Sequence, residues 1–210
     1  DGKYQPVRAY ASDLAHLGIG QICRPYEQPF RTACLSIVLP HSSLAPCAVV
    51  RGWEIVSANF IQSRYIQSYW KVYTEGRENV ERRPDSKVWR IARTILMNDN
   101  AHRAEDYVAD LDGSLSFYFL YFTNLYRNRS ILTMPKRDLN VADNNLKLDY
   151  VIRSMVTFVN VDSALDQLVA LCESWGPFST LLMVGHDWDD KAIWHQSMTL
   201  LAEEVIPCLN

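Results

Sequence analysis

The sequence predicts an α/β fold built on a parallel sheet. Three observations carry that expectation. Short apolar runs alternate along the chain with stretches of helical spacing. The run Thr180–Val184 is apolar at nearly every position, as suits a strand covered on both faces. Gly, Pro and side-chain capping residues stand where strand-to-helix and helix-to-strand turns belong.

In chain order, residues 4–31 are rich in turn formers (Pro6, Gly18, Gly20, Pro25, Pro29) and read as an extended approach. Ala33–Val38 has strand length and is stopped by Pro40-His41-Ser42-Ser43. Ser43–Arg51 reads as a helix with Ser42 or Ser43 as N-cap and Gly52 closing it; Pro46 is tolerated because it falls in the first turn. Trp53–Phe60 is a second strand. Ile61–Gly76 sets Ile61, Tyr65, Ile66, Tyr69, Trp70 and Tyr73 at helical spacing and ends at its glycine. Arg82-Arg83-Pro84-Asp85 is a turn, and Trp89–Met97 a third strand. Asn100–Arg127 is helical with a break near Asp110–Gly113; its cluster of Phe117, Tyr118, Leu120, Tyr121 and Leu125 suits a core or a subunit interface. Ser130–Leu148 lacks periodicity and reads as a surface loop. Asp162 or Ser163 caps a helix over Ala164–Ser174 with Leu165, Leu168, Val169 and Leu171 inward. Thr180–Val184 and a helix over Lys191–Val205 close the chain.

The 210 residues permit one domain with a sizeable core, taken as 1–210. Four strands are too few to close an eight-stranded barrel, and the length falls short of the roughly 250 residues such a barrel takes. The chain begins with Asp1 rather than Met, as expected of a processed protein or a piece of a longer one. A formal net charge of -3 gives no footprint for nucleic acid, and no run reaches the ~18 apolar residues of a membrane span. Five Cys at positions 23, 34, 47, 172 and 208 show no metal-ligand spacing and read as free thiols of a reducing, cytoplasmic compartment.

Two turns can hold chemistry. At Pro40-His41-Ser42-Ser43 a strand feeds a helix N-terminus carrying two hydroxyls. Orphan backbone N–H groups and the helix dipole favour an anion such as phosphate there, although a plain N-cap needs no ligand. At Gly185-His186-Asp187-Trp188-Asp189-Asp190, one His and three acids suit acid–base work or a cation. They equally suit a solvated turn whose Asp residues cap the last helix. A Ser-His-Asp hydrolase lacks its Gly-x-Ser-x-Gly elbow, and no dinucleotide or Walker glycine pattern occurs. His16, His102 and His195 read as isolated surface residues. Arg51, Arg90 and Arg93 are candidates for a phosphate, with pairing or solvation the simpler reading.

The motifs Trp175-Gly176-Pro177-Phe178, Gly185 to Asp190 and Ser197-Met198-Thr199-Leu200-Leu201-Ala202-Glu203-Glu204-Val205 resemble the C-terminal end of luciferase-like flavin-dependent monooxygenases, with a flavour of the limonene-monooxygenase-like branch. The resemblance extends upstream. Arg24-Pro25-Tyr26 and Pro29 resemble the lead into the family's fifth strand. Pro40–Ser43 through Arg51-Gly52-Trp53 and Ser57-Ala58-Asn59-Phe60-Ile61 resemble the fifth strand, its helix and the sixth strand. Trp89–Arg93 resembles the seventh, and Thr180–His186 the eighth. The resemblance implies the C-terminal half, about strands 5–8, of a TIM (β/α)8 barrel. It further implies FMN, reduced by a partner flavin reductase, that reacts with oxygen and oxygenates a small organic substrate. It assigns His41, Ser42 and Ser43 to the FMN phosphate, names no catalytic residue because everything matching strands one to four is absent, and calls for no metal. Asn160-Val161-Asp162 departs from the family's Gly-Ser/Thr-Pro. Two alternatives stand beside it: a non-catalytic fragment or structural partner of a split barrel, with a homo-oligomer or a missing N-terminal half as its complement, and a deazaflavin-dependent oxidoreductase.

Overall fold

The computed structural model describes residues 34–37, 44–79, 85–159, 161–186 and 189–209, all within the compact unit Thr32–Asn210. The approach over 4–31, the turn Pro40–Ser43, Arg82-Arg83-Pro84 and the pair Asp187-Trp188 lie outside the described residues.

The elements are β1 (Cys34–Ile37), α1 (Leu44–Arg51), β2 (Glu54–Ser57), α2 (Ser63–Glu78), β3 (Trp89–Arg93), β4 (Ile95–Met97), α3 (Ala101–Ala109), α4 (Ser114–Asn128), α5 (Leu148–Met155), β5 (Thr157–Val159), α6 (Val161–Trp175), β6 (Thr180–Met183) and α7 (Lys191–Leu200). A π turn over Leu201–Val205 and a 3-10 turn over Ile206–Leu209 continue α7. The main sheet is parallel throughout, in the order β1-β2-β3-β6. The α/β class with a parallel sheet is therefore as expected, and all four anticipated strands lie in it.

Local chemistry explains the boundaries. Gly52 sits at φ 68, Trp53 N–H donates to the Ala48 carbonyl and Gly52 N–H to the Val49 carbonyl, so α1 closes with a Schellman motif. Asn100 caps α3 through Arg103 N–H, and Asp190 caps α7 through Ile193 N–H. The helical region over 100–127 breaks at Asp110–Gly113, where Asp112 N–H and Ser116 Oγ donate to Asp110.

Several expectations are corrected. The strand over Trp89–Met97 is two strands. At Thr94 the backbone N–H leaves the ladder to donate to Asn59 Oδ1, so the chain steps out of the main sheet, and β4 pairs in parallel with β5 in a second, two-stranded sheet. Gly76 does not end α2, which runs to Glu78. It lies where α2 crosses α1, and a Cβ there would meet the Pro46 backbone at 3.5 Å. Ser130–Leu148 is irregular but not wholly superficial, because Leu132, Met134 and Leu146 are buried. Helix α5, with Val151, Ile152 and Met155 buried at helical spacing, and strand β5 fall where no element was expected. Helix α6 starts at Val161, which puts Asp162 and Ser163 inside it rather than at its cap. Val169 is exposed rather than inward. Strand β6 is not covered on both faces, since Leu182 is 36% exposed; among the described residues it also stands at the edge of the sheet.

The core forms between the sheet and its helices. Trp89, Trp175 and Trp194 are fully buried. The Trp89 ring meets Trp70 and Tyr73 edge-on at 5.5 and 5.4 Å, and its Nε1–H donates to Ser57 Oγ at 3.1 Å, giving a buried indole both packing and a partner. Phe60 stacks on Phe122 at 3.7 Å, tying the turn after β2 to α4. No described helix is long and apolar enough to cross a membrane.

Candidate functional site

In parallel α/β sheets, function gathers at the C-terminal ends of the strands, where the loops open. Here the C-terminal ends of β2, β3 and β6 deliver Asn59, Arg93-Thr94 and His186 to one place. All four side chains are buried. Asn59 and Thr94 clasp each other: Thr94 N–H donates to Asn59 Oδ1 at 2.5 Å, and Asn59 Nδ2 donates to Thr94 Oγ1 at 2.8 Å. Thr94 Oγ1 then lies 2.7 Å from His186 Nε2. Having accepted from Asn59, the hydroxyl still has a proton to give, which suits a neutral imidazole. With an imidazolium the hydroxyl accepts instead, so the pair serves both charge states. The imidazole packs edge-on to Tyr118 at 4.6 Å and also touches the rings of Phe119 and Trp194. Asn59 Nδ2 reaches Tyr118 Oη at 3.5 Å. Burial pushes the Tyr118 phenol up and the Asn59 hydrogen bond opposes that.

Arg93, the last residue of β3, braces this corner. It is 4% exposed, and Nη1 donates to the carbonyls of Ile61 and Asn59 at 2.6 and 3.1 Å. Its guanidinium lies 5.3 Å from the Trp175 ring. Burial lowers it to about 10, so it stays a cation at neutral pH. The turn after β2 is thus held by a buried charge as well as by packing.

The acidic turn after β6 is a structural clamp. Asp189 accepts from Tyr107 Oη at 2.7 Å, from Ser114 N–H at 2.9 Å and from Asp190 N–H at 3.0 Å. Trp194 Nε1–H donates to Tyr107 Oη at 2.9 Å. Burial works to raise the Asp189 carboxyl, but the hydrogen bonds from Ser114, Tyr107 and Asp190 outweigh it and leave the group below the usual carboxylate value. Asp190 is lowered first by the Ile193 N–H it caps, against a smaller desolvation, and then by Arg103 at 3.2 Å. Burial pushes Tyr107 up to about 12. Through these contacts α3, the N-terminus of α4 and the start of α7 are pinned around His186, whose own carbonyl takes the Ser114 hydroxyl at 3.4 Å.

Of the residues singled out in the sequence, His41, Ser42 and Ser43 lie outside the described residues, as do Asp187 and His16. Helix α1 is described from Leu44, directly after Ser43, and has no acid in its first turn. His186 is buried in the network. Of the two readings of the acidic turn, capping describes Asp190. No group of three or more His, Cys, Asp or Glu that could hold a metal occurs among the described residues. Arg90 pairs with Glu54, Arg51 lies over Trp53 at 4.9 Å, and His102 and His195 are exposed. Cys47, Cys172 and Cys208 are free thiols. Sequence reasoning missed Thr94 and Tyr118 as members of the site, and Tyr107 and Ser114 as its supports. Thr94 carried one signal, a hydroxyl at the C-terminal end of a strand; Tyr118 was hidden in an aromatic run.

No protein-family model matches the chain. It is 24% identical over 144 residues to 3,6-diketocamphane 1,6-monooxygenase of Pseudomonas putida, across 68% of this chain and 38% of that protein. The structure of the oxygenating constituent of that organism's 3,6-diketocamphane monooxygenase, a type II Baeyer-Villiger monooxygenase in complex with FMN, superposes with a TM-score of 0.71 at 23% identity, over 83% of this chain and 48% of that one. The chain shares its fold with luciferase-like flavin monooxygenases. Two further solved structures share the fold at lower scores. EDTA monooxygenase of Chelativorans sp. gives a TM-score of 0.52 at 14% identity, covering 100% of this chain and 51% of that one. The coenzyme F420-dependent tetrahydromethanopterin reductase of Methanopyrus kandleri gives 0.53 at 14%, covering 84% and 50%. The chain thus spans about half the length of these luciferase-like structures, and 38% of the curated relative.

Proposed function

We propose that this chain supplies the C-terminal half, about strands 5–8, of a luciferase-like (β/α)8 barrel in an FMN-dependent monooxygenase. The match to the Pseudomonas putida diketocamphane monooxygenase carries the reading, and the parallel order β1-β2-β3-β6 supports it. In this reading β1, β2, β3 and β6 are strands five to eight, and 1–210 is one incomplete barrel domain. The partners are a small organic substrate, a flavin reductase, and the N-terminal half or a further copy of the chain. The compartment is the cytoplasm.

The donor set at the start of α1 fits a phosphomonoester. His41, Ser42 and Ser43 precede an eight-residue helix without an acid in its first turn, so its dipole and amides are uncontested by carboxylate. These three residues would hold the FMN phosphate. When bound, the reduced flavin supplies the oxygen chemistry on the organic substrate. The chain's own contribution is a buried wall: Asn59, Thr94 and His186 hydrogen-bond one another among aromatic rings, and Arg93 holds the turn after β2. His186 Nε2 can donate a hydrogen bond to Thr94 Oγ1 or accept one from it. The test is flavin affinity. Ser42→Ala combined with Ser43→Ala is expected to weaken FMN binding about tenfold, read by flavin fluorescence titration; unchanged affinity would refute the assignment.

The same fold serves an F420-dependent reductase, so a deazaflavin-dependent hydride-transfer enzyme is the second reading. Absorption spectra of the protein saturated with each cofactor separate the two.

A further inference from the structure

Between the start of α2, the loop over 130–147, helix α5 and the end of α6 runs a cleft of about 570 Å³. Among the described residues its charged lining is Arg137 and Arg153, with no Asp or Glu, in a chain whose net charge is -3. Neither guanidinium has an ion-pair partner among the described residues; Glu105 borders Arg153 on its other side, in a separate depression, without pairing to it. Hydroxyls add to the donor set. Ser63 Oγ accepts from Trp175 Nε1 at 2.9 Å and so keeps its own proton to give, and Thr157 contributes a second hydroxyl.

The two arginines stand on a built frame. Arg137 N–H donates to Tyr150 Oη at 3.1 Å, and Arg64 Nη1 donates to the Arg137 carbonyl at 3.2 Å, so the backbone that carries the first guanidinium is tied to α5 and to α2. Arg64 Nη2 donates to the Lys136 carbonyl at 2.6 Å, one residue earlier. Arg153 is carried by α5, whose Val151, Ile152 and Met155 are buried and fix the helix. Two guanidinium groups from separate segments lining one cleft are donors of the kind that oxyanions engage.

We propose that this cleft binds a small oxyanion of at least two negative charges, a phosphate-type or polycarboxylate group, with Arg137 and Arg153 as its paired cations. It uses none of the residues proposed for the flavin and stands independently of that reading. The test is isothermal titration of the full chain with inorganic phosphate, pyrophosphate and citrate at constant ionic strength in chloride. Saturable binding is expected. Arg137→Ala or Arg153→Ala alone weakens it several-fold and the double variant at least about tenfold, whereas Arg153→Lys retains part of it. Both side chains are exposed, and circular dichroism checks that the variants fold. FMN affinity stays unchanged in the double variant, which separates this site from the flavin site. Preference for pyrophosphate assigns a phosphorylated ligand, and preference for citrate a carboxylate one. Absence of saturable binding to all three anions, or equal affinity in the wild type and the folded double variant, overturns the proposal.

Discussion

Strands β3 and β6 are parallel neighbours in one sheet, yet they live in different surroundings, and the more apolar of the two is the less buried. Strand β3 alternates buried and half-buried positions, with Trp89, Ile91 and Arg93 inward and a strand on either side. Strand β6 alternates exposed and half-buried positions, with β3 as its sheet neighbour among the described residues. Its Leu181 and Met183 line an apolar groove of about 360 Å³ with Leu168, Phe178 and Leu201. An apolar run thus encodes an appetite for burial, and the neighbours present decide whether it is met. The composition of β6 is that of an inner strand. In a closed barrel its outer edge would be paired, in keeping with the half-barrel proposal.

The well-covered strand and its surroundings should show the largest losses. Trp89→Ala removes a fully buried indole with two aromatic neighbours and a hydrogen bond, and is expected to cost about 3–5 kcal/mol in urea denaturation. His186→Ala empties a buried site and leaves Thr94 Oγ1 with Asn59 as its remaining partner, for about 2–3 kcal/mol by the same measurement; a loss below about 0.5 kcal/mol would show that the network does not hold the strand ends together.

Asp189 and Asp190, in the turn that leaves β6, add a dependence on pH. Both carboxyls are held below their ordinary value in the folded chain. Their stabilisation is therefore fully present above the unfolded carboxylate value near 4 and is lost as pH falls through the depressed folded values. Asp189→Asn should flatten the acid limb of the stability–pH profile, read by thermal denaturation from pH 7 downward; an unchanged limb would mean that the turn does not act as a clamp. At the weak end, Leu182→Ala on the open strand is expected to cost no more than about 1 kcal/mol. Gly76→Ala should gain about 0.5–1 kcal/mol, because its Cβ would make ordinary contact with Pro46 while the helix interior loses a glycine.

Features encoded locally were legible in the sequence. Periodicity located the four strands of the main sheet. Gly52 and Asp190 marked helix ends by chemistry that needs only a few neighbouring residues. The break at Thr94 was not legible, because it depends on Asn59, 35 residues away, competing for a backbone N–H. Helix α5 and strand β5 were missed because each is short and its burial is supplied by partners distant in sequence. At the site, His186 stood out as a lone His in an acidic turn, but its pairing with Thr94 spans 92 residues. The turn chemistry of Asp189 was equally hidden, since Tyr107 and the Ser114 amide come from another helix pair.

The proposed function predicts a flavin phosphate site formed by His41, Ser42 and Ser43, and a paired titration of FMN and riboflavin probes it. The two flavins share the ring and ribityl chain and differ only in the phosphate. FMN is expected to bind at least about tenfold more tightly. Equal affinities, or no binding of either flavin, would contradict the assignment.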